Sequence, residues 1–314
     1  MVDDAPLDCS GLDPASLDHP LASRRRGRGP RPSGNYERHL EFIRNAIATD
    51  APPSPELIAE NKQLAAWEAY LGIGELSSFP VALHLAITDV CNARCLFCSY
   101  TPENATNRTV RLSDIARADW LKFVERFYPN SALGDPLVHP EIVPILRRIR
   151  EQAPFVKMGM TTNAALLSNE IVEAITGHLH SMAVSLNAAR RQTYEIVMAP
   201  LKWDVTIDNL KRLTSRMREQ GTDKPEIQGS VVVHRHNLDE LPEMPALLKS
   251  IGIDRMRVLV MTLPKPVASR KLYGPEDLIH HEPRKANRIF AELRQECAVH
   301  NVAIVGQLPT LAET

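Results

Sequence analysis

The sequence predicts an α/β fold of about six consecutive strand–helix units, which is a complete or partial (β/α) barrel. Strand-like apolar segments alternate with helical segments from residue 80 onward, and hydrophobic residues make up 44% of the 314 residues. Such alternation implies right-handed crossovers and a parallel sheet, and a chain of this size buries a substantial core. In barrels of this kind the chemistry lies at the carboxyl ends of the strands.

The part of the chain before the barrel is predicted to form two units. Residues 1–35 contain scattered acids, turn formers and an arginine-rich stretch, and they predict a disordered tail. A nucleic-acid contact is the alternative for these arginines, but no aromatic residues are interleaved to stack bases. Residues 36–79 predict a helical extension, in which Ser54 caps the second helix and Pro55 opens it. Residues 80–314 are predicted to form the barrel.

From residue 81 the periodicity changes to strand, loop and helix. A short strand is expected before Gly134, and Ser113 is expected to cap the first helix of this region. Further strands are predicted over 81–88, 155–162, 181–187, 226–235, 255–261 and 302–306. Helices are predicted over 112–127, 139–152, 168–178, 190–198, 205–221, 238–252 and 283–301.

The composition and the cysteine count limit the cellular compartment and the kinds of binding partner that the sequence predicts. Lys and Arg number 37 and Asp and Glu 38, a net charge of -1, so the overall charge gives no argument for a nucleic-acid or membrane partner. No apolar segment of the sequence is long enough to span a bilayer, and the N-terminus lacks the apolar centre of a signal peptide. Five cysteines, an odd number, favour a reducing cytoplasm, where clustered thiols bind metal more often than they pair.

Three of the cysteines lie together in the segment CNARCLFC, after the first predicted strand. Cys91, Cys95 and Cys98 have the spacing Cys-x3-Cys-x2-Cys. A structural zinc site closes four positions, and no clear fourth ligand is near, because Cys9 lies in the tail and Cys297 in a late helix. Three thiolates on a [4Fe–4S] cluster leave one iron open, as a reactive site requires. A non-catalytic iron–sulfur or zinc module is the alternative.

The same segment resembles the Cys-x3-Cys-x-aromatic-Cys loop of the radical SAM superfamily, with Phe97 at the aromatic position. The resemblance covers residues 80–310 and is to the core of members that carry SPASM or twitch domains. No cysteine follows Cys297 to hold their auxiliary clusters. The resemblance implies a partial (β/α)6 barrel of the TIM type, with a [4Fe–4S] cluster on the three clustered cysteines and S-adenosylmethionine (SAM) as cofactors.

Other strand ends resemble the segments that bind SAM in this superfamily. Leu133-Gly134-Asp135-Pro136 stands where the family usually has Gly-Gly-Glu-Pro, which implies that Gly134 and Asp135 lie at the SAM amino group. Leu133 departs from the first glycine of that pattern, and Asp135 is shorter than the usual Glu. The fork of the Arg235 guanidinium suits the SAM carboxylate. The SAM contacts implied by the resemblance are Phe97, Gly134, Asp135, Asn163, Ser185, Asn187 and Arg235.

Ser185 and Asn187 follow the fourth strand, where the family often has Ser-Leu-Asp, so they are implied near the SAM ribose or the substrate. Residues 258–261 are implied at the adenine. Cys297 is interpreted as a core residue, with the alternative of a hydrogen-atom donor, as in redox-neutral epimerases of the superfamily. His234 and His236 alternate at a strand end and are interpreted as a solvated pair.

The resemblance implies an enzyme that an electron donor such as flavodoxin or ferredoxin reduces. SAM is then cleaved, and the 5'-deoxyadenosyl radical takes a hydrogen atom from a substrate. The expected substrate is a small metabolite of the sugar, aminoglycoside or nucleoside type. Maturation of a ribosomal peptide is the alternative. Residues 1–80 lack the alternating strands expected of a leader-binding domain, which favours the small metabolite.

Overall fold

The computed structural model describes residues 30–98, 100, 105–130, 134–262 and 274–312. Most of the predicted tail, with Cys9, lies outside the described residues, and so does Leu133. The chain divides into two compact units, Met1–Val81 and Ala82–Thr314. No helix in the part of the chain that is described has both the length and the apolar character needed to cross a membrane.

The described part of the first unit, from residue 30, contains two helices, α1 (Tyr36–Ala48) and α2 (Pro55–Leu71). Ser54 caps α2 as the sequence predicts, because its hydroxyl accepts a hydrogen bond from the backbone N–H of Leu57 at 3.1 Å. The helix ends at Gly72, which has the left-handed backbone that glycine adopts readily.

The described residues of the second unit form a parallel sheet of seven strands that follow one another in chain order. Among the described residues the first and last strands do not pair with each other, so the sheet is open. This arrangement confirms the α/β class and the partial barrel. The strands are β1 (Ala82–His84), β2 (Arg126–Tyr128), β3 (Lys157–Thr162), β4 (Ser181–Ser185), β5 (Glu226–Val233), β6 (Arg255–Val260) and β7 (Ala303–Ile304).

The α-helices of this unit connect successive strands. They are α3 (Leu112–Ala116), α4 (Ile142–Gln152), α5 (Asn169–Ile175), α6 (Arg191–Val197), α7 (Trp203–Glu219), α8 (Met244–Ile251) and α9 (Pro283–Val299). Side chains alternate across the strands, so that Ile227, Val231 and Val233 of β5 are buried in the hydrophobic core. The side chains between them, including Gln228, lie on the opposite, concave face of the sheet.

The prediction of one helix over residues 112–127 is wrong for the second half of that segment. Helix α3 ends at Ala116, a 3-10 turn covers Asp119–Phe123, and the chain then becomes extended to form β2. Phe127 is fully buried in β2, which pairs on both sides with β1 and β3. Pairing between distant strands overrides the helical spacing of this segment. Ser113 lies inside α3 rather than capping it, since Arg111 is the N-cap residue.

Candidate functional site

The cysteine segment leaves the sheet after β1, and the end of α6 holds its backbone. Arg94 donates its backbone N–H to the carbonyl of Ala199 at 2.7 Å, and Leu96 donates to that of Val197 at 2.8 Å. Tyr100 is buried, and its hydroxyl accepts from the backbone N–H of Cys91 at 3.2 Å. These contacts place the cysteines at the carboxyl edge of the sheet, where the barrel prediction expects chemistry. Tyr100 is not predicted as a site residue from the sequence, in which its only signal is an aromatic residue two positions after the last of the three clustered cysteines.

The three thiols are free, and each is partly buried. Backbone N–H groups approach two of the sulfurs: Ala93 donates to Cys91 Sγ and Tyr100 to Cys98 Sγ, both at 3.4 Å. Burial raises the pKa of the Cys91 thiol to about 11 and raises the pKa of Cys95 still further. Among the described residues, no three His, Cys, Asp or Glu side chains are placed to hold a single metal ion.

This donor set fits the iron–sulfur cluster that the sequence predicts. Cluster ligands are thiolates, and hydrogen bonds from backbone amides to the sulfurs are a normal feature of cluster sites. Because burial raises the pKa of Cys91 and Cys95, their thiolates are costly unless a cation compensates them. A cluster with open iron coordination provides that compensation.

Gly134 lies against the backbone that leads into the cysteine segment. It has φ +85°, and a Cβ at this position would lie 2.6 Å from the carbonyl oxygen of Thr88 and 3.0 Å from that of Val90. The next residue, Asp135, donates its backbone N–H to Val90 at 2.9 Å. Only glycine combines this left-handed backbone with so close an approach.

Replacing Gly134 with Ala is expected to push apart the backbone at residue 134 and the backbone of Thr88 and Val90. Gly306 is a matched control, because it has φ +88° and a Cβ there would meet nothing within 4 Å. We expect Gly306→Ala to lose about 1–2 kcal/mol of unfolding free energy from its backbone alone. Gly134→Ala is expected to lose about 1–3 kcal/mol more unfolding free energy than Gly306→Ala, because the neighbouring backbone must shift. Urea unfolding measures both, and equal losses would show that the close approach has no energetic consequence.

Asp135 connects the end of β2 to the end of β3. Its buried carboxylate accepts hydrogen bonds from the Thr162 hydroxyl at 3.0 Å, the backbone of Asn163 at 2.8 Å and the backbone of Leu137 at 3.0 Å. Burial raises the pKa of this carboxyl, although these hydrogen bonds act to lower it. This side chain therefore holds the two strand ends together, and its burial disfavours the charged form.

Asn163 links the end of β3 to the cysteine segment. Its side-chain amide donates to the side-chain oxygen of Asn92 at 2.7 Å, and Asn92 lies between the first two cysteines. Asn163 is also buried. The ends of β2 and β3 are thus connected to the segment that carries the thiols.

At the end of β4, Asn187 lies in a left-handed backbone conformation with φ 53°. Its side-chain oxygen accepts from the backbone N–H of Val232 at 2.8 Å, and its amide lies 3.0 Å from Met198 Sδ. Met198 in turn lies 3.4 Å from Cys95 Sγ. Ser185 is partly buried and pairs in register with Ser230 of β5. Asn187 is therefore a structural link between β4, β5 and the sulfur of Cys95.

The residues after β5 differ from the solvated histidine pair that the sequence predicts. His234 is buried with 1% exposure, and its ring centroid lies 5.6 Å from that of Phe97. Its Nδ1 accepts from the backbone of His236, so the proton of the neutral ring is on Nε2, which has no partner among the described residues. Burial lowers the pKa of His234 to about 4. The solvated-pair interpretation is wrong for His234, which Phe97 and the strand end enclose, whereas His236 is exposed.

Two further residues were named from the sequence. Arg235 is half exposed and its guanidinium lies 3.3 Å from the carboxylate of Asp277. Cys297 is buried within α9 in the hydrophobic core, and burial raises the pKa of its thiol to about 11. Cys297 does not line the cavity on the concave face. Its environment is that of a packing residue.

The concave face of the sheet encloses a cavity of about 470 Å³. This volume falls within the usual range for small-molecule sites. Its lining comes from six strands and is mainly polar. The lining residues are Ala82, His84, Arg126, Tyr128, Asn130, Met160, Thr161, Ser181, Met182, Ala183, Glu226, Gln228, Arg255 and Arg257.

The curated proteins that are similar to this chain in sequence include the following two. A tungsten-containing aldehyde ferredoxin oxidoreductase cofactor-modifying protein of Pyrococcus furiosus is 26% identical over 181 residues, which are 56% of this chain and 50% of that protein. A probable GTP 3',8-cyclase of Saccharolobus islandicus is 25% identical over 193 residues, which are 60% of this chain and 59% of that protein. The chain thus spans between half and three fifths of the length of these relatives.

Solved structures are similar in fold. SuiB of Streptococcus suis bound to S-adenosylmethionine has a TM-score of 0.57 at 17% identity, covering 86% of this chain and 60% of SuiB. The structure of anSMEcpe with bound AdoMet has a TM-score of 0.54 at 14% identity, covering 72% of this chain and 61% of that chain. At these identities the likeness shows a shared fold. The radical SAM superfamily model matches residues 85–262, more than half of the chain, and the protein therefore belongs to the radical SAM superfamily.

Proposed function

We propose that the protein is a radical SAM enzyme acting on a small metabolite, with Cys91, Cys95 and Cys98 holding a [4Fe–4S] cluster. The observation that carries the proposal is the placement of three thiols on one anchored segment at the carboxyl edge of the sheet, within the region that matches the superfamily. When bound, the cluster and SAM supply the one-electron chemistry that removes a hydrogen atom from the substrate. A small electron-transfer protein such as flavodoxin or ferredoxin is the proposed reductant.

The residues that the resemblance names for SAM binding have different proposed tasks. Gly134 keeps the backbone close and leaves room at the strand end, and Arg235 offers its guanidinium to the carboxylate of SAM. Burial disfavours the charged form of Asp135, so the SAM ammonium, which would compensate that charge, is a fitting neighbour. Asn163 and Asn187 are already hydrogen-bonded to protein groups. Their proposed task is to hold the strand ends in position, while Phe97 and Ser185 face SAM.

The cavity on the concave face supports a small substrate, although in β4, β5 and β6 it is lined by residues among the first three of each strand and not by the carboxyl edge that carries the thiols. Its volume of about 470 Å³ suits a metabolite, and its polar lining suits a sugar or nucleoside. One curated relative is named as a cyclase of GTP, which contains a nucleoside. Peptide maturation is the second candidate, because SuiB, which shares the fold, has been solved with its precursor peptide SuiA. Measured binding of a ribosomal leader peptide would favour this second candidate.

The test is anaerobic reconstitution with iron and sulfide, followed by addition of SAM and dithionite. We expect about four irons per chain and release of 5'-deoxyadenosine, which mass spectrometry measures. Protein carrying zinc in place of iron would contradict the proposal. So would a fully loaded cluster that leaves SAM intact, and the chain would then be a binding module without catalysis.

A further inference from the structure

We propose that the cavity on the concave face binds a phosphorylated metabolite that has a planar polar ring, with Arg126 and Arg257 as the phosphate ligands. The inference rests on the proposed function, because it names the substrate class of the same enzyme. Three features of the cavity lining support it: unpaired positive charge, a stacked aromatic pair and two side-chain amides.

The positive charge of the cavity is incompletely compensated. Arg126 of β2 and Arg257 of β6 both line it and are exposed, and neither guanidinium has a hydrogen-bond or ion-pair partner among the described residues. The third arginine, Arg255, is paired at 3.1 Å with Glu226, which Lys224 also contacts at 2.6 Å. The acidic charge of the lining is therefore already engaged by two cations. A dianionic phosphate would balance the two unpaired guanidinium groups and accept their hydrogen bonds.

An aromatic pair forms one wall of the cavity. The rings of His84 and Tyr128 are stacked, with centroids 4.5 Å apart and planes 14° from parallel. Gly159 makes room for this pair, since a Cβ there would lie 2.4 Å from the Tyr128 ring. His84 is exposed at the end of β1. Its free face is suited to stacking a planar ring of a ligand.

Two amides complete the recognition surface. The side-chain oxygen of Asn130 accepts a hydrogen bond from the backbone N–H of Thr161 at 3.3 Å, and this bond does not use the NH₂ group of Asn130. The side-chain amide of Gln228 has no hydrogen-bond partner among the described residues and lines the same cavity. Amides of this kind offer both donors and acceptors to the edge of a polar ring. Guanidinium, aromatic and amide groups together match a nucleotide-like molecule better than a neutral sugar.

The test measures binding by calorimetry to the full-length, cluster-loaded protein without reductant, so that no turnover occurs. The probes are GTP, inorganic pyrophosphate and guanosine. We expect GTP and pyrophosphate to bind, and guanosine to bind at least about tenfold more weakly than GTP. Arg126→Gln and Arg257→Gln are each expected to weaken GTP binding by about tenfold. Arg294→Gln, at an exposed position on α9, removes the same charge outside the cavity and is the matched control.

The outcomes separate this inference from the proposed function, because SAM cleavage is measured in the same wild-type preparation. Cleavage of SAM without binding of GTP or pyrophosphate would overturn the phosphate site and leave the enzyme assignment intact. Equal binding of guanosine and GTP would also overturn it, as would equal losses in Arg294→Gln and the two cavity variants. Arginine-dependent binding of GTP without SAM cleavage would support the phosphate site and contradict the radical chemistry.

Discussion

Changing Cys91, Cys95 and Cys98 together to Ala is expected to abolish both cluster binding and SAM cleavage. The three thiols are the proposed ligands, and the fold places them on one segment whose backbone is fixed by Ala199 and Val197. Removing all three leaves no thiolate there to hold iron. Iron per chain is expected to fall to the background of the assay, and 5'-deoxyadenosine to become undetectable by mass spectrometry.

Cys297→Ala is the matched control, because Cys297 is buried in the core away from the cavity lining. It is expected to retain its iron and to lose about 1 kcal/mol of unfolding free energy from the cavity left by the thiol. Removal of iron from the wild type is also expected to lower the melting temperature, since a ligand specific to the native state stabilises it. Full iron content in the triple variant, or an unchanged melting curve after iron removal, would count against the cluster assignment.

The second large effect is expected for Asp135→Ala. The variant removes the acceptor for the Thr162 hydroxyl and for the backbone N–H groups of Asn163 and Leu137, all in a buried environment. Each unsatisfied donor costs about 1–3 kcal/mol, so a total loss of about 3–5 kcal/mol in unfolding free energy is expected. Urea unfolding measures the loss. The wild-type carboxylate has its own desolvation cost, which keeps the expected loss below the sum of three lost hydrogen bonds.

Asp204→Ala provides the comparison on the surface, where an exposed ion pair joins Asp204 to Arg191. Its expected cost is below about 1 kcal/mol, as for other exposed pairs. If Asp135→Ala unfolded at the same urea concentration as Asp204→Ala, the carboxylate would not be the link between β2 and β3 described above. Asp135→Asn, which keeps one side-chain oxygen acceptor, is expected to lie between the two variants.

The features that the sequence predicted well depend on neighbouring residues. The spacing of Cys91, Cys95 and Cys98 indicated the cluster motif, because three ligands on one short loop are set by local geometry. Ser54 and Pro55 indicated the start of α2, since helix capping needs only the first turn. Alternating strand and helix segments indicated the parallel sheet, because a parallel connection requires a crossover between strands.

Only the tertiary structure decided the features that depend on distant pairing. It made residues 126–128 a strand, because β1 and β3 supply hydrogen bonds that outweigh the helical pattern of that segment. It buried His234 beside Phe97, although the sequence showed only two alternating histidines. It also brought Arg126 and Arg257, from β2 and β6, to one cavity. The sequence alone determined the cluster motif and the order of the helices and strands, because these depend on interactions between neighbouring residues. The burial of His234 and the grouping of charged side chains in the cavity were decided by the tertiary structure, because they depend on strands that are far apart in the chain.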